Sequence, residues 1–199
     1  MSKAIPPVTQ DLPQPRLQGD RSLEEILADR RSVREFTDKP LTDTEISQLL
    51  WAAQGVTDPD GRRAAPSAGA LYPLEVYVAS SSGLFHFQPA QHQLSRRHDK
   101  DLRQMIHGAA LAQDAIVEAP VVFVITAVYG RTQGKYGDRA ERYVHLEAGH
   151  AVQNLLLQAV ALDLGGVPIG AFNDKRLSEI LGLSQNESPL YLIPIGHPR

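Results

Sequence analysis

The spacing of apolar and polar positions changes period several times along this chain, and each change marks an element. Leu23, Ile26 and Leu27 recur at helical spacing behind Ser22-Leu23-Glu24-Glu25, a capping box in which the serine caps the helix and Glu25 reaches back. Thr42-Asp43-Thr44-Glu45 repeats the device, with Ile46, Leu49 and Leu50 as the buried stripe and Gly55 as the stop. The polar stretch from Asp58 to Ala65 reads as a loop, and the alternation of Leu74 to Ala79 as a strand. Leu84 to Gln88 and His92 to Arg96 predict a hairpin turning around Pro89. Asp99 to Val117 is helical in pattern, whereas Pro120 to Tyr129 is a β-branched run suited to a strand covered on both faces. Gly130 to Gly137 reads as a glycine-punctuated loop. Asp138 to Leu164 predicts the longest helix, running through the core; Asp174 to Leu181 predicts a short helix stopped by Gly182, and Leu190 to Ile195 a last strand. This order of elements predicts one α+β domain over residues 20–199, with helices packed on a central sheet. Residues 1–19, with Pro6, Pro7, Pro13 and Pro15, read as an extended arm without a fold of its own.

Composition narrows the chemistry. The 199 residues are 42% hydrophobic and 22% charged, as expected of one globular domain with a full core. A net charge of -3 offers no electrostatic footprint for nucleic acid or for a membrane surface. No apolar run reaches membrane-spanning length and the N-terminus lacks a signal-peptide core, so cytoplasm is the expected location. With 0 Cys there is no disulfide, thiolate metal site, iron–sulfur cluster or thiol nucleophile.

Several familiar motifs fail. No G-x-G-x-x-G follows a strand, and no serine sits in a G-x-S-x-G context. Gly130-Arg131-Thr132-Gln133-Gly134-Lys135 is one residue short of a P-loop, and Tyr136 stands where Ser or Thr would hold magnesium. Glu147-Ala148-Gly149-His150 matches one half of a di-iron helix motif that must occur twice, so no metal is expected and a helix-packing polar pair is the simpler reading.

Three segments remain. Arg30-Arg31-Ser32-Val33-Arg34 lies where the first helix ends. It suits either a solvated basic helix terminus or a phosphate clamp, in which forked guanidinium donors and a hydroxyl meet phosphate oxygens. Alternation would send Arg30, Ser32 and Arg34 to one side of an extended chain. Pro66-Ser67-Ala68-Gly69-Ala70-Leu71-Tyr72-Pro73 is an uncharged small-residue loop running into a strand, where binding loops tend to sit. Gly165-Gly166-Val167-Pro168-Ile169-Gly170 follows the long helix, and Gly170 would let a backbone N–H approach a flat ring.

In this order, RRSVREF, PSAGALYPLEVYV, KYGDRAERYVHLEAGHAVQNLLLQA, GGVPIGAF and IPIGHP resemble the nitroreductase family of FMN flavoproteins, and within it the SagB-type dehydrogenases, which include azoline dehydrogenases. The resemblance runs from Arg21 to the C-terminus. It implies a mixed, mostly antiparallel sheet flanked by helices and an intertwined homodimer with FMN at the subunit interface. Arg30, Arg31 and Ser32 would hold the ribityl phosphate and Arg34 would sit by the pyrimidine end of the ring. Pro66, Ser67, Ala68 and Gly69 would cover the ring from the other subunit. Val167, Pro168 and Gly170 would face it, with Arg199 as a further phosphate contact. Ala70 stands where many members carry asparagine. The implied activity is hydride transfer from NAD(P)H through FMN to a small acceptor such as a nitroaromatic or quinone. In azoline dehydrogenases a Lys-Tyr pair before the long helix is taken as catalytic, which makes Lys135 and Tyr136 the candidate bases of an alternative, substrate-specific dehydrogenase. A flavin-binding protein without turnover is a further alternative.

Overall fold

Alternating burial along neighbouring strands divides the core in two. Val76 and Val78, Phe123 and Ile125, and Ile193 and Ile195 face one side; Tyr77 and Ala79, Val122 and Val124, and Leu192 face the other. This is the period-2 pleat of strands covered on both faces. The computed structural model describes residues 8–199, and the expected arm therefore enters the structure only from Val8.

The strands are β1 (Thr9–Asp11), β2 (Leu74–Ser80), β3 (Gly83–Gln88), β4 (Gln93–His98), β5 (Val121–Ala127), β6 (Gly165–Gly166) and β7 (Ser188–Gly196). They form one sheet in the order β1-β4-β3-β2-β5-β7-β6, with every neighbouring pair antiparallel. Helices α1 (Leu23–Asp29), α2 (Asp43–Gln54), α3 (Arg103–Ala109), α4 (Ala115–Glu118), α5 (Gly130–Tyr136), α6 (Ala140–Ala161) and α7 (Asp174–Leu181) complete the fold. Leu49, Leu50 and Ala53 of α2 pack with Val144, Ala148, Leu155 and Leu156 of α6 on one face of the sheet. Ile106 of α3, Ile116 of α4 and Leu177 of α7 cover the other. The result is the α+β, nitroreductase-like fold that the resemblance implied.

Local chemistry sets most boundaries. Both expected capping boxes form, at Ser22 with Glu25 and at Thr42 with Glu45. Asn173 caps α7, and Gly182 ends it in the left-handed conformation.

Three readings need correction. The single helix expected from Asp99 to Val117 is broken into α3 and α4, because Leu111 and Ala112 both take positive φ of 55°. Gly130 to Gly137, expected to be a loop, is mostly helical as α5. The arm forms an edge strand from Thr9 to Asp11 on β4, and beyond it Leu12 is buried. Further along, the Arg16 N–H donates to Gln48 Oε1 at 2.8 Å and the Ser47 hydroxyl donates to the Pro13 carbonyl.

Candidate functional site

Two groups of expected residues assemble in the structure, at different places. The first begins where α1 stops at Arg30, which leaves the helix with ψ of 120°. The chain then runs extended. Ser32 bridges Gly166 in parallel, and the Val33 N–H donates to the Gly166 carbonyl at 3.0 Å. That approach depends on Gly165: a Cβ there would meet the Val33 side chain at 2.6 Å. The chain end closes the group. Phe36 bridges Pro198, the Arg199 N–H donates to the Glu35 carbonyl, and the Arg199 guanidinium donates to the Phe36 carbonyl at 3.0 Å. Arg30–Arg34, β6 with the segment to Gly170, and Arg199 thus form one edge of the molecule. Val167 is buried, Pro168 half-buried, and Gly170 exposed with open space where a side chain would be.

Within this group the arginines divide. Arg31 folds back and donates from one nitrogen to the carbonyls of Ala28 and Arg30, at 2.7 and 2.8 Å, satisfying the end of α1. The guanidinium groups of Arg30 and Arg34 donate to no protein acceptor among the described residues, and Arg34 is exposed. A concavity of about 260 Å³ lies against Arg31, Val33, Gly165 and Pro198. A cavity of about 1120 Å³ between α5, α6, α7 and the start of β7 is lined by none of the expected residues.

The second group lies under the loop from Pro66 to Tyr72. Residues Ala68–Ala70 make one 3₁₀ turn, and Gly69, Ala70 and Tyr72 all have positive φ, of 65°, 54° and 46°. For alanine and tyrosine that conformation costs roughly 1 kcal/mol or more each, and such strain collects at binding sites. The Ser67 hydroxyl holds the loop by accepting from the Tyr72 N–H at 2.9 Å. Lys135 and Tyr136 of α5 reach the same loop: a Cβ on Gly69 would lie 2.9 Å from both Lys135 Nζ and the Tyr136 hydroxyl. Arg131, one turn earlier, fixes α5 there by donating to the Tyr72 carbonyl at 2.9 Å and pairing with Glu75. Burial pushes the Glu75 carboxyl up, but hydrogen bonds from His86 and Arg131 outweigh it and hold it below the usual carboxylate value.

Behind the loop stands Glu147, 3% exposed in the middle of α6. Burial raises its carboxyl to about pKa 7, against the opposing influence of the Ser67 hydroxyl and Arg63. Arg63 donates to Gln54 Oε1 at 2.8 Å and lies 4.5 Å from the Tyr72 ring centroid; burial lowers its own pKa. The sequence reading gave Glu147 only a packing role beside His150. Its spacing with Val144, Ala148 and Ala151 marks it as a carboxyl within a buried stripe, and that was the available signal. His150 is exposed, so the two side chains do not share one environment.

The Arg30–Arg34 segment with β6 and the Pro66 loop sit at opposite ends of the sheet, while the chain after β6 turns back to its middle, where Ile169 pairs with Leu192. Leu74, Ala127 and Ser188 are level at the end where the Pro66 loop enters; Ser80, Val121 and Ile195 are level at the other, where Gly166 pairs with Ile195. Six strand steps separate the levels, about 20 Å.

Comparison with known proteins fits this architecture. The Nitroreductase family model matches residues 27–197. Two similar proteins are both named as putative nitroreductases. One, MJ1384 of Methanocaldococcus jannaschii, is 46% identical over 87% of this chain and 90% of its own. The other is a crystal structure from Ralstonia eutropha JMP134, 33% identical with a TM-score of 0.88, covering 100% of this chain and 96% of that one. An FMN reductase [NAD(P)H] of Bacillus subtilis is 27% identical over 86% of this chain and 64% of its own. The chain belongs to the nitroreductase family.

Proposed function

We propose that this protein is an FMN-dependent oxidoreductase that takes reducing equivalents from NAD(P)H and passes them to a small acceptor such as a nitroaromatic or a quinone. The observation that carries the reading is the extended Arg30–Arg34 segment stitched beside β6, which leaves the Arg30 and Arg34 guanidinium groups without acceptors among the described residues while Gly170 stands open. These residues fit FMN: forked cations and the Ser32 hydroxyl suit a phosphate, and an uncrowded backbone suits a flat ring. FMN, when bound, supplies the two-electron chemistry, with NAD(P)H as reductant and the acceptor as oxidant. Arg34 supplies a fixed cation against the negative charge that accumulates on reduction. The Pro66–Gly69 loop shuts water away from the ring.

Because the loop and the arginine edge lie about 20 Å apart along the strands, one chain does not close both around one ring. We therefore read the active form as a homodimer, with the Pro66–Gly69 loop of one subunit covering the cofactor held by the other. The purified protein should be yellow or turn yellow with added FMN, bleach anaerobically with NADH or NADPH, and recover colour with a nitroaromatic or quinone. A preparation that stays colourless after incubation with FMN overturns the reading.

A second reading rests on the approach of Lys135 and Tyr136 to Gly69. In it the protein is a SagB-type dehydrogenase of one specific, azoline-like substrate: Lys135 or Tyr136 would take the proton from a substrate carbon, and FMN, when bound, would supply the two-electron oxidation. The variant Lys135→Ala separates the two readings. Nitroreductase turnover within a few-fold of wild type supports the first. Loss on the order of 10²-fold in oxidation of an azoline substrate supports the second.

A further inference from the structure

The surface on the flank of the Pro66 loop carries a cation that the chemistry described so far does not use. Tyr136, at the end of α5, meets Tyr143 of α6 edge to face, with ring centroids 5.0 Å apart. Lys135 Nζ lies 5.5 Å from the Tyr136 centroid, and both side chains reach the position that a Gly69 Cβ would take. Arg139 has helical backbone at the start of α6, four residues before Tyr143, the spacing that puts two helical residues on one face. Glu147 is the next residue on that face and is enclosed beneath the loop. Lys135 and Arg139 are exposed, Tyr136 and Tyr143 half-buried, and neither cation has a hydrogen bond or an ion pair among the described residues. The neighbouring acids Asp138 and Glu141 turn elsewhere: with His145 they line the cavity toward α7, and Arg142 borders a smaller hollow with the same three residues.

We propose that this shelf, two cations beside two tyrosine rings, receives the anionic group of an aromatic acceptor, so that the protein prefers carboxylated nitroaromatics to neutral ones of the same shape. The tyrosines give an aromatic ring a flat apolar wall with a polar edge. Lys135 gives a carboxylate a compact charge at the loop, and Arg139 gives it a forked one further out. In the homodimer read above, the loop of one subunit covers the cofactor held by the other, and the shelf then borders the slot by which an acceptor reaches the ring. A phosphate on the reductant would meet the same cations, and the experiment separates the two sources. This preference rests on the FMN reading above, which the experiment also keeps distinct.

In the test the holoenzyme is reduced by light without NAD(P)H and mixed anaerobically with para-nitrobenzoate or para-nitrobenzamide, and reoxidation is followed by flavin absorbance. The nitro group takes two electrons and two protons, becomes nitroso and releases water, the electrons coming from the reduced cofactor. The quantity read is the ratio of the second-order rate constants for the acid and the amide. The difference in electron affinity between the two compounds is common to all variants and cancels when their ratios are compared. Arg139 is the residue to change, because Lys135 has a second role in the dehydrogenase reading. Arg139→Gln is expected to lower the ratio about threefold to fivefold, the upper range for one partly exposed ion pair. Arg139→Lys should keep most of it, and added salt should carry the wild-type ratio toward that of the Gln variant. Arg142→Gln, on the other side of the helix, should leave the ratio where it is. Equal ratios in wild type and Arg139→Gln, or an equal fall in Arg142→Gln, overturn the shelf. A wild-type ratio in Arg139→Gln together with slower reduction by NADPH alone assigns the cations to the reductant's phosphate and overturns their role toward the acceptor. A reduced protein that neither compound reoxidises overturns the nitroaromatic reading, and a protein that takes up no FMN overturns the FMN reading itself.

Discussion

The arginine run shows how neighbouring residues of one type take different work. Arg31 repairs the carbonyl end of α1, the structural role that basic residues at helix termini commonly fill, while the Arg34 guanidinium has no acceptor among the described residues. Arg34→Ala should therefore weaken FMN binding and make the bound flavin harder to reduce, lowering its midpoint potential. Arg31→Ala should act mainly through stability, on the order of 0.5–1 kcal/mol. Titration with FMN, redox potentiometry and thermal melting of the two variants check this, and an unchanged potential in Arg34→Ala refutes the placement. Spacing put Arg30, Ser32 and Arg34 on one side of the chain, and the family resemblance added Arg31 as a phosphate contact. Which guanidinium turns back onto the helix depends on the ψ of Arg30, which a residue pattern does not contain.

Elements with strong periodicity were legible and those held by distant partners were not. The run from Val121 to Ala127 could only be a strand covered on both faces, and it is fully buried. The capping boxes placed α1 and α2 to the residue. The break between α3 and α4 carries neither Gly nor Pro: Leu111 and Ala112 accept left-handed φ without local notice. In α5 the error ran the other way. Gly130 and Gly134 discourage a helix by roughly 1 kcal/mol each, yet Arg131 ties the segment to Tyr72 and Glu75. Both bonds span more than fifty residues of sequence, so local propensity was overruled from outside the window in which it was read. The Lys135–Gly69 approach has the same origin and was likewise invisible until α5 was seen.

At the scale of the whole molecule the proposed site is divided. The sheet holds the arginine edge at one end of its central strands and the loop with Lys135, Tyr136 and Glu147 at the other. Leu17, Leu23, Leu27 and Leu146 are large apolar side chains left more than half exposed, a further reason to expect a second copy. Light scattering during size exclusion should report twice the 21.8 kDa of one chain. Mixing Arg34→Ala with Ser67→Trp should restore part of the FMN binding that each lacks alone, because a mixed pair rebuilds one intact site. A protein that elutes as a single chain while remaining yellow refutes the division.

The stitching of the C-terminal residue has a practical side. Arg199 is tied to Glu35 and Phe36, beside the free Arg34, whereas β1 lies on the opposite margin of the sheet, with β6 at the far side. A purification tag or fusion partner appended after Arg199 would emerge against the arginine edge proposed to hold the phosphate and should weaken FMN binding.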